Sequence, residues 1–266
     1  MPFRLLTLAA CLALAGCSSA DEVAEELRTD QAATATARAE TAGDARKTEE
    51  ENELFSFAYA WPEQVGAIPA LARQLDQRAA QVKAELAQTT RTEKAEFADE
   101  QIEIRPHSYG MEWEVVADTP RFLSLSGNFA TYSGGAHGMY GLESLVWDRE
   151  AGAGMDGKAL FVSPAALDAA LGEGLCAALN AERAERRGEP VPADGDGIFD
   201  ECVGTGEATV LVGSTNGRTF DRIGVWFGPY VAGSYAEGAY ELDFPIDAAI
   251  LRAVKPEFRG ALTAAR

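Results

Sequence analysis

The sequence is poor in the side chains that most metal-dependent and hydrolytic enzymes use. Its 266 residues include two histidines and four cysteines. A zinc hydrolase needs two or three converging His or Cys ligands and an acid, and two histidines do not supply such a set. The Gly-x-Ser-x-Gly element that carries the nucleophile of many hydrolases is also missing. The sequence therefore predicts no metal ion, no other cofactor and no catalytic residue.

Basic residues are scarce as well. Lys and Arg number 23 against 42 Asp and Glu, and the formal net charge is -19. Because a nucleic-acid partner requires a basic face for its phosphates, we expect no such partner. An acidic surface instead favours encounter with cationic proteins and repels anionic lipid headgroups.

A hydrophobic run long enough to cross a membrane is also lacking. The apolar residues 5–15 amount to about half of the ~20 that a transmembrane helix needs. They follow Arg4 and lead into Leu14-Ala15-Gly16-Cys17, which has the pattern of a bacterial lipobox. We therefore predict a lipoprotein signal peptide over 1–16 and a lipid anchor on Cys17. The alternative is an ordinary secretory signal followed by a chance cysteine.

This signal predicts a location in the cell envelope, with the mature protein facing the periplasm or the exterior. Ser18 follows the predicted lipidated cysteine, where many lipoproteins retained at the inner membrane carry Asp. In a cell with two membranes we therefore expect the outer one.

The cysteine pattern agrees with export. Cys11 leaves with the signal peptide and Cys17 carries the lipid, so Cys176 and Cys202 remain as one pair in an oxidising compartment. We predict a disulfide between them. A metal pair or a redox couple is the alternative, but neither a Cys-x-x-Cys spacing nor a neighbouring histidine supports it.

The mature chain divides into a linker and a folded part. Residues 17–53 are mostly small or charged, which predicts a flexible acidic linker. Alternating aromatic residues predict a strand over 55–61, and apolar residues at helical spacing predict a helix over 69–88. Further strands are predicted at 111–117, 122–131, 141–147, 207–213, 222–228 and 239–244, and further helices at 163–183 and 247–254. This order predicts an α+β fold, a mostly antiparallel sheet with amphipathic helices packed on one face.

Two motifs carry a resemblance to a known family. The first is Tyr132-Ser133-Gly134-Gly135-Ala136-His137-Gly138, and the second is residues 225–238, an apolar strand followed by turns that contain Tyr230 and Tyr235. The sequence resembles the extracytoplasmic domains shared by the lysozyme-sensing anti-sigma factor RsiV and the non-catalytic N-terminal region of the peptidoglycan deacetylase PdaC. This resemblance divides the folded part into an N-terminal part, 54–140, and a C-terminal part, 141–266. It implies an envelope domain that binds and has no established chemistry of its own.

The resemblance also suggests what is bound and where. Peptidoglycan and a cationic, lysozyme-like muramidase are the two expected partners. The candidate ligand contacts come from both motifs: Tyr132, Gly134, Gly135, His137, Gly138, Tyr230 and Tyr235. Three alternatives stay open, namely a structural role for His137 at its glycine turns, an envelope hydrolase or esterase that uses His137, and a passive structural lipoprotein.

Overall fold

The structure is a computed structural model, which describes residues 43–100, 102–192 and 197–265. The predicted signal peptide, Cys17 and the first part of the predicted linker lie outside these residues. Within the described ranges, no helix combines the length and the apolar character needed to span a bilayer.

A six-stranded sheet forms the first layer. Its strands follow chain order across the sheet: β1 (Arg46–Glu51), β2 (Phe55–Trp61), β3 (His107–Asp118), β4 (Phe122–Tyr132), β5 (Met139–Asp148) and β6 (Ala153–Met155). Neighbouring strands are antiparallel except β2 and β3, which are parallel. Two helices, α1 (Glu63–Gly66) and α2 (Pro69–Glu96), connect that parallel pair, because parallel neighbours require a crossover between them.

The first core lies between this sheet and α2. The aromatic alternation of β2 buries Phe57, Tyr59 and Trp61 against Leu71 and Leu75 of the helix. The helix continues to Glu96, beyond the predicted end at 88. Packing contributes to this extension, because the side chain of Thr90, beyond the predicted end, is fully buried.

A second sheet and three helices build the second core. The antiparallel strands are β7 (Thr209–Gly213), β8 (Arg222–Phe227) and β9 (Tyr240–Pro245), and the helices are α3 (Pro164–Leu171), α4 (Glu173–Arg187) and α5 (Ala248–Ala253). Short 3-10 helices cover Gly157–Leu160, Tyr235–Glu237 and Pro256–Ala261. Phe122 and Val146 of the first sheet belong to this second core, so the two cores are joined. The predicted α+β fold class is confirmed.

The predicted helix over 163–183 is two helices. It begins as expected, with the Ser163 side chain accepting from the Ala166 amide at 3.1 Å and Pro164 in the first turn. Gly172 then has φ +58° and ends α3, so the chain changes direction before α4. The apolar spacing continues across this break, which is why periodicity alone missed it.

The folded part begins earlier than the sequence predicts. The flexible linker predicted over 17–53 is wrong over Arg46–Glu51, which form β1 and pair with β2. Its sequence, RKTEEE, has no apolar face because this edge strand is largely exposed. Lys83 of α2 bonds Glu50 at 2.7 Å, and charge of this kind protects a sheet edge from pairing with other chains. The division predicted at 140/141 falls inside β5.

The predicted disulfide is confirmed. Cys176 on α4 is bonded to Cys202, which lies 26 positions further along the sequence, with the Cα atoms 5.5 Å apart. The bond fastens the segment before β7 to the helix, next to residues that support the candidate site.

Candidate ligand-binding site

The two motifs, far apart in sequence, meet in space. The ring of His137, in the loop between β4 and β5, stacks on Tyr235 with centroids 3.9 Å apart and an interplanar angle of 23°. The hydroxyl of Tyr230 lies 3.4 Å from His137 Nε2. Tyr140 of β5 contacts Tyr235 edge-on at 6.0 Å. These four residues form the aromatic cluster.

Hydrogen bonds inside the first motif hold the histidine in place. His137 Nδ1 lies 2.9 Å from the carbonyl oxygen of Gly138, and the Tyr235 hydroxyl donates to the same oxygen at 2.9 Å. A proton on Nδ1 satisfies the first contact and leaves Nε2 to accept from Tyr230. A side chain at Gly138 is excluded, because its Cβ would lie 2.6 Å from the Thr131 carbonyl oxygen.

The turn before the histidine uses its two consecutive glycines. Gly134 and Gly135 have φ of +97° and +87°, a region that other residues resist. The hydroxyl of Tyr132, at the end of β4, donates to the carbonyl oxygen of Gly135 at 3.0 Å and fastens the turn. Gly134, Gly135 and Tyr132 therefore shape the loop, whereas His137 carries the exposed ring.

Tyr230 adopts a backbone conformation that is unfavourable for its residue type. Its φ is +67°, and the turn is closed by its amide donating to the Gly233 carbonyl at 3.0 Å. A left-handed conformation costs a non-glycine residue about 1–2 kcal/mol. The residue is 49 % exposed, so burial gives little compensation. Residues held in this way cluster at functional sites, where the surrounding structure enforces the strain.

A partly buried carboxylate supports the turn that carries Tyr235. Glu237 accepts from the amide and hydroxyl of Ser234, both at 3.0 Å, and from Arg187 Nε at 2.8 Å. The Tyr240 hydroxyl also donates to it. Burial acts to raise the pKa of Glu237, but these hydrogen bonds outweigh it and lower the pKa to about 2. The carboxylate is thus ionised at neutral pH and anchors the turn.

Two arginines of helix α4 contact the turn that Glu237 supports. Arg186 lies over the Tyr240 ring at 4.1 Å and donates to the Glu237 carbonyl oxygen at 2.9 Å. Arg187 pairs with Asp200 at 2.7 Å as well as with Glu237. Sequence reasoning missed this network. The Ser-x-x-Glu spacing of residues 234–237 was the available signal, since it is the pattern of a capping box, which the structure contains.

A third arginine of α4 lies deeper in the protein than Arg186 and Arg187. Arg183 is fully buried, with Nε donating to the Ala232 carbonyl oxygen at 2.9 Å and Nη1 to the Glu201 carbonyl oxygen at 3.1 Å. Burial lowers the pKa of its guanidinium. Because Glu201 adjoins Cys202, the disulfide fixes one of these acceptors relative to α4.

The two histidines have different surroundings. A general base in a hydrolytic site needs a third group that orients it. Within the described residues, the ring of His137 contacts tyrosines and a carbonyl oxygen and hydrogen-bonds no carboxylate. His107 is buried, with Nε2 2.9 Å from the Glu93 carboxylate. In the same part of the chain, no three His, Cys, Asp or Glu side chains are grouped to hold a metal ion.

Comparison with known proteins gives a family match over part of the chain and a shared fold. Residues 48–140 match the family model described as deacetylase PdaC. The crystal structure of a DUF3298 family member from Bacteroides fragilis has a TM-score of 0.51 and 15% identity, and the match covers 83% of this chain and 98% of that one. A DUF3298 family protein from Pseudomonas aeruginosa has a TM-score of 0.47 and 18% identity, with 84% and 96% covered. No curated protein matches the sequence.

These matches bear on the resemblance predicted from the two motifs. The family model includes the strand β2 and the whole His137 loop. The fold of the Bacteroides protein extends over 83% of the chain. The resemblance is therefore confirmed: residues 48–140 form a PdaC-like region, and the chain has the fold of a DUF3298 family protein.

Proposed function

We propose that this protein is a lipid-anchored binding protein of the cell envelope whose aromatic cluster contacts peptidoglycan. One observation carries the proposal. Two distant motifs place His137, Tyr230 and Tyr235 side by side, and Tyr230 is held partly exposed at a cost in backbone strain. Exposed tyrosine rings combine an apolar face with a hydroxyl, which suits ligands that are apolar on one side and polar on the other. Sugar rings have this character.

A lipid on Cys17 would keep the aromatic cluster near the wall. The acidic body is repelled by anionic headgroups, so it would extend away from the membrane to which it is attached. The predicted linker before residue 43 would provide the reach. The envelope location and the lipid anchor belong to the proposal together with the ligand.

A second candidate partner is a cationic, lysozyme-like muramidase. The observation in its favour is the formal net charge of -19. Opposite charges steer association and raise its rate, and salt weakens this effect. Binding that disappears at moderate salt would therefore indicate this partner, whereas stacking on the aromatic cluster depends less on salt.

The test is co-sedimentation of the purified mature protein with insoluble peptidoglycan, and parallel capture on immobilised lysozyme, each at low and moderate salt. We expect peptidoglycan to retain the wild-type protein and Tyr235→Ala to abolish retention. Tyr230→Phe keeps the ring and loses only the hydroxyl, so it separates the two contributions, and we expect part of the retention to remain. Failure of the wild-type protein to bind either partner would contradict the proposal.

His137→Ala separates binding from hydrolysis. We expect weaker retention on peptidoglycan and an almost unchanged melting temperature, because the ring is exposed. If the wild-type protein instead deacetylates or cleaves acetylated glycan and this variant does not, the alternative of a hydrolase that uses His137 replaces the proposal.

A further inference from the structure

A groove runs along the open face of the six-stranded sheet, opposite α2. It has a volume of about 740 Å³ and lies where β8 and β9 of the second sheet meet that face. A second cleft of about 520 Å³ continues it and shares Asn128, Trp226 and Glu241 with the first. We call the two clefts together the inter-sheet groove.

The floor of the inter-sheet groove consists of small residues in register. Ala58 of β2 pairs with Gly110 of β3, which pairs with Ala130 of β4. A Cβ built on Gly110 would meet nothing within 4 Å, so the space above the row is open. The row ends at Glu49 on β1 and at Tyr140 on β5. From β1 to β5 it spans about 19 Å, at about 4.8 Å per strand.

The large side chains of the same strands are on the other face. Phe57 and Tyr59 on β2 and Met111 on β3 are buried in the first core. The row does not need small residues for packing, because no helix within the described residues covers it and longer polar side chains would be tolerated there. The row of Ala and Gly therefore leaves a trough in the sheet that an extended chain can occupy.

Carboxylates dominate the charge along the inter-sheet groove. Its lining includes five of them: Glu49, Glu112, Glu114, Glu241 and Asp243. Lys47, the lining base, is 2.7 Å from Glu49, and Arg222 pairs with Asp243. Asn128 donates to Glu114 at 3.1 Å. Glu112 and Glu241 are exposed and have no ion-pair partner among the residues described. A cleft lined by one sign of charge concentrates ligands of the opposite sign.

An aromatic side chain forms part of the wall. Trp226 lines both clefts and is half-buried, whereas Trp61, Trp113 and Trp147 lie in the first core. A tryptophan face next to carboxylates attracts Lys and Arg side chains, whose cationic heads bind the ring and whose stems cover apolar surface. Neither a nucleic acid nor an anionic lipid surface fits this combination.

We propose that the inter-sheet groove binds an extended, basic polypeptide segment. Its backbone would lie over the row of Ala58, Gly110 and Ala130, and its Lys or Arg side chains would pair with Glu112 and Glu241 and contact Trp226. This inference does not rest on peptidoglycan binding, because its contacts are Glu112, Glu241 and Trp226, which do not belong to the aromatic cluster; Tyr140 borders both sites.

The test is a titration of the mature protein with oligolysine of about six residues, long enough when extended to span about 20 Å. Tryptophan fluorescence reports binding, and Trp226→Phe identifies the responding side chain. We expect saturable binding that weakens with salt and a loss in affinity of about tenfold or more for Glu112→Gln with Glu241→Gln. Glu257→Gln is the control, because it removes one carboxylate charge from the C-terminal 3-10 helix. It should change the affinity for oligolysine by no more than about twofold.

Three results would overturn the inference. The first is an absence of saturable oligolysine binding. The second is an equal loss of affinity in Glu257→Gln, which would mean that overall charge attracts the peptide. The third is binding of glucosamine oligomers without binding of oligolysine, which would assign the inter-sheet groove to a cationic glycan. Tyr235→Ala should keep its affinity for oligolysine, so failure of the peptidoglycan proposal would be distinguishable from failure of this one.

Discussion

The two cores of this protein are stabilised in different ways. The first core is mainly an apolar contact between a sheet and one helix, with aromatic residues such as Phe57 and Trp61, and Trp113 donates a buried hydrogen bond to the Tyr59 hydroxyl at 2.9 Å. The second core adds a disulfide, the fully buried Arg183 and the ionised Glu237 to its apolar contacts. Most of these polar and covalent contacts surround the turn that carries Tyr235. The comparison shows that the candidate site depends on specific polar bonds rather than on apolar burial alone.

Among the changes that distinguish the two cores, loss of the disulfide is expected to have the largest effect on stability. On the chain-entropy model, a closed loop of this length stabilises the fold by about 3.5 kcal/mol. We expect Cys176→Ser with Cys202→Ser to lower the free energy of unfolding by about this amount. Hydrogen exchange should then show α4 losing protection while α2 keeps it. Equal loss in both helices would mean that the two cores open as one unit.

Acid should weaken the second core through Glu237. Its pKa is about 2 in the folded protein and near 4.5 in the unfolded chain, so the carboxylate stabilises the fold fully above pH 4.5. This stabilisation, about 3 kcal/mol, is lost as the pH falls from 4.5 towards 2. Urea unfolding across this range should show a shallower pH dependence for Glu237→Gln.

A carboxylate of the first sheet provides the control for this measurement. The bond from Arg121 lowers the pKa of Asp148, at the end of β5. Asp148→Asn should therefore remove only the contribution of Asp148 to the loss of stability in acid. The hydrogen-exchange protection around Tyr235 should stay unchanged. If Glu237→Gln has the same acid profile as the wild-type protein, the network around Glu237 does not contribute as described.

The smallest expected effect on stability is that of replacing Tyr230. Tyr230→Gly removes the strain of a positive φ, and we expect the free energy of unfolding to stay constant or rise by about 1 kcal/mol. Binding to peptidoglycan should fall at the same time, as is common where a site stores strain. Thermal unfolding and co-sedimentation measure the two effects. A destabilisation larger than about 1 kcal/mol would show that the packing of the ring matters more than its backbone strain.

Much of the fold was predictable because local periodicity reflects burial. The alternation of β2 and the helical spacing after Pro69 led directly to the first core. The charged strand β1 was missed because an exposed edge strand has no apolar face to reveal it. The break at Gly172 was missed because the apolar spacing continues across it. The parallel pairing of β2 with β3 depends on the crossover through α2, which no local pattern specifies.

The candidate site was predictable only in part. The sequence pointed to both motifs through their glycine turns and their resemblance to a family, but gave no reason for His137 to stack on Tyr235. The supporting contacts of Arg187 with Glu237 join α4 to a turn 50 positions away in sequence. Such contacts form only when the second sheet and α4 are packed.

By itself, the sequence determined the acidity of the protein, the α+β class, the pairing of Cys176 with Cys202 and the two glycine-rich motifs. These follow from composition and from short-range patterns that any segment carries on its own. The tertiary structure decided that the two motifs share one surface and that small residues from three strands align as the floor of the inter-sheet groove. Both depend on strand register and sheet packing, which long-range contacts set.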